Sequence, residues 1–421
     1  MNKERILLCL AHMSGREIDY INEAFEQNWV VPLGPNVNGF EKDLEEFVNN
    51  RHGEEPLHKK VVALSAGTAA VHLALIACGV KHGDEVLVQS FTFCASSHPI
   101  TYLGATPVFV DSENETWNMD PDLLEETIKD RMAKTGRKPK AIVPVALYGM
   151  PYQIDRILEI ANRYGIPVIE DAAEGFGSRF DGQVLGTFGE YGVLSFNGNK
   201  MITTSGGGAL ICPDADKARE ILWYATQARE SYPYYQHEAI GYNYRMSNIC
   251  AGIGRGQMTV ADEHIAHHKH VQELYYELLK DVKGITMHHN PSDRYDSNFW
   301  LCTATLDPDL RIKGQEKVYG KVIEGAVGGA AGVTHAASSA VTDCQPNDNV
   351  EALRVALDAA NIEARPLWKP MHRQPVYRNA PAYVNGVSEG LFKVGICLPA
   401  GPYVTDDDVR YIVDSIKAAI V

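Results

Sequence analysis

The 421-residue chain carries 39 Lys and Arg residues against 54 Asp and Glu residues, a formal net charge of −15 at pH 7. This acidic balance, with no basic run in the sequence, argues against nucleic acid as a partner. An apolar share of 45% and a charged share of 22% are typical of a globular protein. The length suits one large and one smaller domain.

The cysteines and the first residues indicate the compartment. Eight cysteines are scattered along the chain without a CxxC pair, which favours buried free thiols over disulfides or zinc ligands. The start, MNKERILLCLAHMSGREID, has too short an apolar core for a signal peptide, and no stretch approaches the ~20 apolar residues of a membrane span. We therefore expect a cytoplasmic protein without a membrane partner.

The first predicted elements flank a segment rich in proline and glycine. Pro32, Gly34, Pro35 and Gly39 predict an irregular connection that leads into an amphipathic helix over residues 40–48. On these residues alone, the connection is as readily a surface loop as part of a binding site.

A strand, a turn and an apolar helix follow in VVALSAGTAAVHLALIACG, residues 61–79. Gly67 lets the backbone approach an anion closely, and the amides of Thr68 and Ala69 lie at the positive end of the helix. For an isolated turn, a helix cap by Ser65 or Thr68 is the simpler explanation. The turn is a candidate phosphate site that needs support from elsewhere in the chain.

Residues 84–111 and 141–171 each predict a strand, a helix and a second strand. Two such units in succession indicate parallel strands joined by right-handed crossovers. Between them, Asp120 followed by Pro121 predicts the start of a helix. Phe93 follows Thr92 in a loop at a strand end, where it is either part of the core or an aromatic that stacks on a flat ligand.

The chemistry is predicted in two neighbouring segments, PVIEDAAEGFGS (167–178) and SFNGNKMITTSGGG (195–208). Lys200 lies among small polar residues and glycines, with no acidic residue inside its segment to pair the ammonium, which favours a lysine that reacts as a neutral amine. Asp171 falls at the carboxyl end of a buried strand, where open α/β sheets bind ligands. A Schiff-base lysine and an aspartate are what pyridoxal phosphate requires, and an ordinary ion pair is the plainer alternative.

Four motifs in this order resemble the DegT/StrS-like nucleotide-sugar aminotransferases, which have the aspartate-aminotransferase fold. They are SAGTAAVHLAL (65–75), EDAAEGFGS (170–178), SFNGNKMITTSGGGAL (195–210) and GYNYRMSNICAGIGRGQ (241–257). The resemblance extends from about Leu33 to the C-terminus. It implies a fold type I α/β structure, with a mixed, mostly parallel sheet in a large domain (1–260) and a smaller α+β domain (261–421).

The resemblance also implies a site for pyridoxal 5′-phosphate. Lys200 would hold the cofactor covalently and move protons, while Asp171 would hold the ring nitrogen. Phe93 would stack on the ring, and Glu174 occupies a position near the ring hydroxyl where the family usually has Gln or His. The phosphate would be held by residues that offer amides or hydroxyls: Gly67, Thr68, Ala69 and Ser195. Asn243 would complete this set, supplied by the partner subunit of a homodimer.

The substrate is implied only by the resemblance. SFNGNK followed by TTSGGG is most similar to enzymes that aminate C4 of a UDP-linked 4-keto-6-deoxy-N-acetylhexosamine, of the bacillosamine-pathway type, with L-glutamate as the donor. Amination at C3, a keto sugar on another nucleotide, and a non-catalytic sugar-nucleotide-binding or regulatory protein are the alternatives. Candidate substrate contacts are Pro35, Asn36, Arg245, Arg365, Lys369 and His372.

Two features of the C-terminal part fall outside these motifs. A long predicted helix carries His264, His267, His268 and His270, whose spacing permits a metal site, but a solvated helix face is the better interpretation. A Gly/Ala/Val-rich stretch at 314–345 interrupts the resemblance where the family has a short link. We assign this stretch neither a secondary structure nor a function.

Overall fold

The computed structural model describes residues 4–50, 54–317 and 344–421. Most of the predicted Gly/Ala-rich insertion therefore lies outside the described residues. In the described part, the helices are α1 (Glu17–Glu26), α2 (Pro35–Asn49), α3 (Gly67–Ala77), α4 (His98–Tyr102), α5 (Pro121–Thr135), α6 (Ile154–Tyr164), α7 (Ala215–Ala225), α8 (Asn248–Met258), α9 (Ala261–Leu279), α10 (Asp348–Ala359), α11 (Val387–Val394) and α12 (Asp406–Ala419).

The strands of the same residues alternate with these helices in the first half of the chain. They are β1 (Lys60–Leu64), β2 (Glu85–Gln89), β3 (Thr106–Val110), β4 (Ala141–Val143), β5 (Ile169–Asp171), β6 (Arg179–Phe180), β7 (Gln183–Val184), β8 (Tyr191–Ser195), β9 (Gly208–Cys212), β10 (Ile285–Met287), β11 (Tyr295–Asp296), β12 (Cys302–Leu306), β13 (Arg365–Pro366), β14 (Ala382–Tyr383) and β15 (Gly395–Leu398).

A mixed, mostly parallel sheet forms the centre of the molecule. Strands β14, β3, β2 and β4 are parallel neighbours, and β5 is parallel to β8. Parallel bridges between residues 142 and 168 and between residues 145 and 171 join the two groups. On the far side, β9 runs antiparallel to both β8 and β1. This architecture confirms the α/β sheet and the parallel βαβ units predicted from the sequence.

Side chains of β1 alternate between the two faces of the sheet. Val61 and Ala63 join an apolar core with α2, α5 and α6, whereas Val62 and Leu64 join a second core with α3 and α7. Helices therefore cover both faces, and the strands are buried along most of their length, as expected for parallel sheets. The carboxyl ends of β2, β4, β5 and β8 are left to meet at one edge of the sheet.

The smaller part of the molecule has its own antiparallel sheet, in the order β10-β12-β15-β13. Apolar side chains of α9, α10 and α12 pack on it as a separate core. Two segments cross the predicted boundary at residue 260. β14 extends the large sheet beside β3, and Ile6 joins the small core through a parallel bridge to Ile362. The division into 1–260 and 261–421 stays a prediction.

Two local expectations need correction. The connection predicted at 32–39 is helical from Pro35, because proline is favoured at the first position of a helix and α2 begins there. The predicted solvated face of α9 is wrong for His264 and His268, which are 4% and 0% exposed. They face the protein interior because α9 packs against the small sheet and the N-terminal segment, where His264 Nε2 lies 3.3 Å from His12 Nδ1.

Metal ligands, cysteines and membrane spans complete the description. Among residues 4–50, 54–317 and 344–421, no group of three or more His, Cys, Asp or Glu is placed to hold a metal ion. All eight cysteines are free thiols. None of the helices in these ranges combines the length and apolar character that a membrane crossing requires.

Candidate active site

A cavity of about 430 Å³ lies at the edge where the parallel strands end. Its walls come from the segments after β1, β2, β4, β5 and β8, and from Trp300 and Trp368 of the C-terminal half. This is the place at which ligands bind in open α/β sheets, and the volume is typical of small-molecule sites. The charged residues in its described lining are Asp171, Glu174 and Lys200.

Asp171 ends β5 and is 4% exposed. Its Oδ2 accepts a hydrogen bond from Ser96 Oγ at 2.6 Å, and its Oδ1 accepts one from the amide of Ala173 at 3.1 Å. Burial raises the pKa of the Asp171 carboxyl, while Ser96, Ala173 and the charge of Lys200 act in the opposite direction. The carboxylate is thus fixed in orientation. Because it is desolvated, a cationic or N–H partner would stabilise its charge.

Lys200 projects into the same cavity, with 12% of its side chain exposed. Its Nζ lies 3.3 Å from Oε1 of Glu174, a residue outside the segment that surrounds Lys200 in the sequence. The same Nζ lies 3.8 Å from the centre of the Trp300 ring, a cation–π contact. The expectation that no carboxylate pairs with this lysine holds only locally, because tertiary structure brings Glu174 to it.

Glu174 is 5% exposed and its Oε2 accepts a hydrogen bond from the Tyr148 amide at 2.7 Å. Burial raises the pKa of the Glu174 carboxyl, and the charge of Lys200 and the Tyr148 amide partly offset this effect. Cys9 also lies near Lys200, but burial raises the pKa of its thiol to about 12. Cys9 is therefore a neutral thiol, and the amine of Lys200 is the better nucleophile in this region.

The loop that carries Lys200 is held from the C-terminal half of the chain. Trp300 is 1% exposed, and its Nε1 donates to the Asn199 carbonyl at 2.7 Å. Asn298, which is fully buried, donates to the carbonyls of Glu174 and Phe176, both at 2.9 Å. The segment 298–300 thus fixes both the Lys200 loop and the turn that bears Glu174.

The opposite wall is the start of α3. No side chain caps this helix, and its first amides have no intrahelical acceptor, so they are available to an anion in the cavity. A Cβ atom added to Gly67 would lie 3.1 Å from the Cβ of Ser195, so a larger residue would press against the serine at this approach. An uncapped helix start, a serine hydroxyl, a lysine and a buried aspartate fit the phosphate, aldehyde and ring nitrogen of pyridoxal phosphate.

The structure brings most of the predicted cofactor residues together and leaves two aside. Those that line the cavity are Gly67, Thr68, Phe93, Asp171, Glu174, Ser195 and Lys200. Ala69 lies one residue deeper in α3 and is buried, with only its amide near the helix start. Asn243 is exposed, outside the cavity of its own chain.

Two predicted substrate contacts, Asn36 and Arg245, are buried and have partners within the fold. Asn36 is 3% exposed, and its side chain donates to the carbonyl of Tyr20. Arg245 forms an ion pair with Glu41 and donates to the Ala63 carbonyl at 2.9 Å, which leaves its side chain 8% exposed. Both side chains are used inside the fold, because α2 packs against α8 and β1 and needs partners for its polar groups.

The remaining predicted contacts lie outside the cavity lining. His372 is hydrogen-bonded to Ser90 Oγ at 2.6 Å and to Glu389 at 3.1 Å, so both of its ring nitrogens have partners within the fold. Arg365 pairs with Glu363. Pro35 is exposed and Lys369 is half-buried, one residue after Trp368 of the cavity wall.

The sequence interpretation missed several residues of the cavity. Trp300 lies in a segment to which no site role was assigned, and Trp368 lies between the predicted substrate contacts Arg365 and Lys369. Ser96 had no signal beyond its polarity in a loop. Asn197 and Asn199 lie within the segment that carries Lys200 and line the cavity, so proximity to Lys200 was the signal that could have found them.

Comparisons with known proteins show the family to which the chain belongs. The model of the DegT/DnrJ/EryC1/StrS aminotransferase family matches residues 12–331 and 329–417. EpsN, a candidate pyridoxal phosphate-dependent aminotransferase of Bacillus subtilis (strain 168), is 42% identical over 415 residues, which cover 98% of this chain and 95% of EpsN. A GDP-perosamine synthase of Escherichia coli O157:H7 is 33% identical over 405 residues, 96% of each chain.

Solved structures show the same fold. A DegT DnrJ EryC1 StrS aminotransferase from Brucella abortus superimposes with a TM-score of 0.79 at 27% identity, over 96% of this chain and 95% of that one. Family, fold and cavity therefore point to the same chemistry. The chain belongs to the DegT/DnrJ/EryC1/StrS family of sugar aminotransferases, fold type I enzymes that use pyridoxal phosphate.

Proposed function

We propose that this aminotransferase moves an amino group from L-glutamate to the C4 keto carbon of a UDP-linked 4-keto-6-deoxy-N-acetylhexosamine. The observation that supports amino transfer is the meeting of Lys200, Asp171 and Glu174 in one cavity beside an uncapped helix start. The choice of sugar rests on the likeness of SFNGNK and TTSGGG to the enzymes of that substrate class.

In this proposal, different cavity residues bind different parts of the cofactor. The amides of Gly67, Thr68 and Ala69 and the hydroxyl of Ser195 hold its phosphate, since they converge on the positive end of α3. Asp171 keeps a proton on the ring nitrogen. Pyridoxal phosphate, when bound, supplies the electron sink that makes the α-C–H bond of the amino donor acidic.

Three aromatic side chains shape the rest of the cavity. Phe93 is 49% exposed and its ring centre lies 5.4 Å from that of Trp368, so the two rings form one wall. A flat ring gains stacking energy beside such a wall. Trp300 lies on the Lys200 side and excludes water from the amine. Phe93 is therefore proposed as the ring contact of the cofactor.

Lys200 carries the proton transfers. With pyridoxal phosphate bound, Nζ would remove a proton from the α-carbon of the amino donor, hold it as an ammonium and later release it. The same residue therefore serves in both halves of the reaction, in opposite order for the keto sugar. Ser96 and Ala173 fix the orientation of the Asp171 carboxylate.

A second subunit completes the proposed site. Asn243 is exposed and follows a surface segment in which Tyr234, Tyr235 and Ile240 are 60%, 77% and 83% exposed. Large apolar side chains so exposed are typical of an interface. We propose a homodimer in which Asn243 reaches the phosphate end of the partner's cavity.

A GDP-linked 4-keto sugar is the second candidate substrate. It is favoured by the GDP-perosamine synthase that is 33% identical over 96% of this chain. Incubation with ¹⁵N-labelled L-glutamate and UDP-, dTDP- and GDP-linked 3-keto and 4-keto sugars separates the candidates. We expect NMR to place the ¹⁵N on C4 of the UDP sugar; label on C3, or on the GDP sugar alone, would reject the proposed substrate.

A further inference from the structure

The two oxygens of Glu174 have different partners. Oε2 accepts the Tyr148 amide at 2.7 Å, and Oε1 lies 3.3 Å from Nζ of Lys200. An amide N–H cannot give up its proton under these conditions, so Oε2 is a fixed acceptor. Oε1 faces a group that both donates and accepts protons, which makes it the oxygen on which a proton can reside.

The backbone of Tyr148 keeps this arrangement in place. Its φ of 54° and ψ of 18° are left-handed values that cost a non-glycine residue about 1–3 kcal/mol. The side chain holds the backbone there, since it is 3% exposed and its hydroxyl accepts the Trp368 amide at 2.7 Å. The strained residue therefore aims its amide at Glu174 and orients the carboxyl toward Lys200.

Charge balance favours a mobile proton between the two side chains. With every group ionised, Asp171, Glu174 and Lys200 give the described lining a net negative charge, and all three side chains are largely buried. Separated charges are costly to bury, and one proton moved from Nζ to Oε1 turns the pair Lys200–Glu174 into two neutral groups. The free-energy difference between the ionic and neutral forms of this pair is therefore smaller in the cavity than in water.

We propose that Glu174 is the proton partner of Lys200 and sets when its amine is free to act as a base. The Nζ–H bond of the ammonium breaks, its electron pair stays on Nζ, and the proton forms an O–H bond with Oε1; the reverse step restores the ammonium. This role rests on the proposed function of Lys200, and it differs from a contact between Glu174 and the cofactor's ring hydroxyl because it exists without the cofactor.

The first test measures Lys200 in the full-length, cofactor-free protein. Trace acetylation with acetic anhydride at pH 6–11, followed by peptide mapping, gives the fraction of Lys200 that reacts at each pH. Lys42, which is on the surface with 75% of its side chain exposed, is the internal standard. In Glu174→Gln the acetylated fraction of Lys200, relative to that of Lys42, should increase, because Nζ has lost the carboxylate that lies 3.3 Å away.

The control variant is Glu351→Gln, which removes a carboxylate from the half-buried pair Glu351–Arg354 of the small domain. Its Lys200 profile should match that of the parent protein. A Glu174→Gln profile that coincides with the parent's, or an equal shift in Glu351→Gln, overturns the proposal. Should Glu174→Gln not fold, Glu174→Asp must shift the profile in the same direction by less.

The second test separates a proton partner from a bystander charge. In the holoenzyme, Glu174→Ala should slow the reaction with L-glutamate about 100-fold. Added formate should restore part of this rate and should leave the rate of the control variant Glu351→Gln unchanged. No loss, or a loss that formate does not repair, overturns the proposal. Borohydride trapping of Lys200 in the parent protein tests the aminotransferase site itself, so failure of that site is distinguished from failure of this role.

Discussion

The Nζ atom of Lys200 lies 3.8 Å from the centre of the Trp300 ring, so the ammonium contacts an indole face as well as the Glu174 carboxylate. Trp300 also donates from Nε1 to the Asn199 carbonyl. A single side chain thus stabilises the cation and holds the loop that carries it.

Replacement of this indole should therefore slow the chemistry of Lys200. Trp300→Phe keeps an aromatic face and loses the hydrogen bond to Asn199, a change of about 1.4 kcal/mol that corresponds to a roughly 10-fold slower reaction with L-glutamate. Trp300→Leu should be slower again. Stopped-flow absorbance measures the rate, and Trp117→Phe, which alters a stack on His288 instead, should leave it unchanged.

Lys200→Ala should abolish turnover, because no other side chain in the described lining of the cavity offers an amine. Borohydride reduction and peptide mapping should place the trapped cofactor on Lys200 of the parent protein, and Lys42→Ala should behave like the parent. Multiple turnovers sustained by Lys200→Ala, or an adduct on another lysine, would contradict the assignment.

Asp171→Asn should reduce the rate by at least about 100-fold, because the neutral amide cannot hold a proton on the ring nitrogen of the cofactor. Ser96→Ala removes one hydrogen bond to the same carboxylate and should give a smaller loss. Measuring visible absorbance at saturating cofactor distinguishes a slower reaction from weaker binding of the cofactor. Equal rates in Asp171→Asn and the parent protein would exclude Asp171 from this role.

Gly67→Ala should weaken cofactor binding about 10-fold, since its Cβ would crowd Ser195 at 3.1 Å and disturb the phosphate end of the cavity. Absorbance titration of the cofactor-free protein measures the dissociation constant. Gly390→Ala is the matched control, because a Cβ there meets no atom within 4 Å. An unchanged dissociation constant in Gly67→Ala would place the phosphate elsewhere.

His268 makes the stability of the protein depend on pH. Burial lowers the pKa of this imidazole from 6.5 to about 3, and its Nδ1 lies 3.2 Å from the Phe299 carbonyl. Because the pKa is lower in the folded state, the stability that neutral His268 contributes is present above pH 6.5 and is lost as the pH falls toward 3. The loss should reach about 2 kcal/mol at pH 5.

His268→Asn isolates this contribution, since its amide nitrogen can replace Nδ1 as the donor to Phe299 and does not titrate. Urea unfolding at pH 8 and pH 5 gives the free energy of unfolding for both proteins. The parent protein should lose about 2 kcal/mol more than the variant between these values. An equal loss in the two proteins would assign the pH dependence to other groups.

Local patterns in the sequence predicted the sheet and several of the residues that line the cavity. The end of a buried strand placed Asp171, a glycine turn before an apolar helix placed Gly67 and Thr68, and a glycine-flanked segment placed Lys200. These features are local because strand ends, helix starts and close backbone approaches depend on residues a few positions apart. The four motifs then gave the family that the comparisons show.

Tertiary structure alone decided the partners of those residues. Glu174, Trp300 and Ser96 meet Lys200 and Asp171 across the sheet edge and between the two parts of the chain, and no periodicity in the sequence records such contacts. Tertiary structure also decided that Asn36, Arg245 and His372 have partners inside the fold and lie outside the cavity lining. A polar side chain looks alike in a sequence whether it faces a ligand or satisfies a buried partner, because that difference depends only on what packs against it.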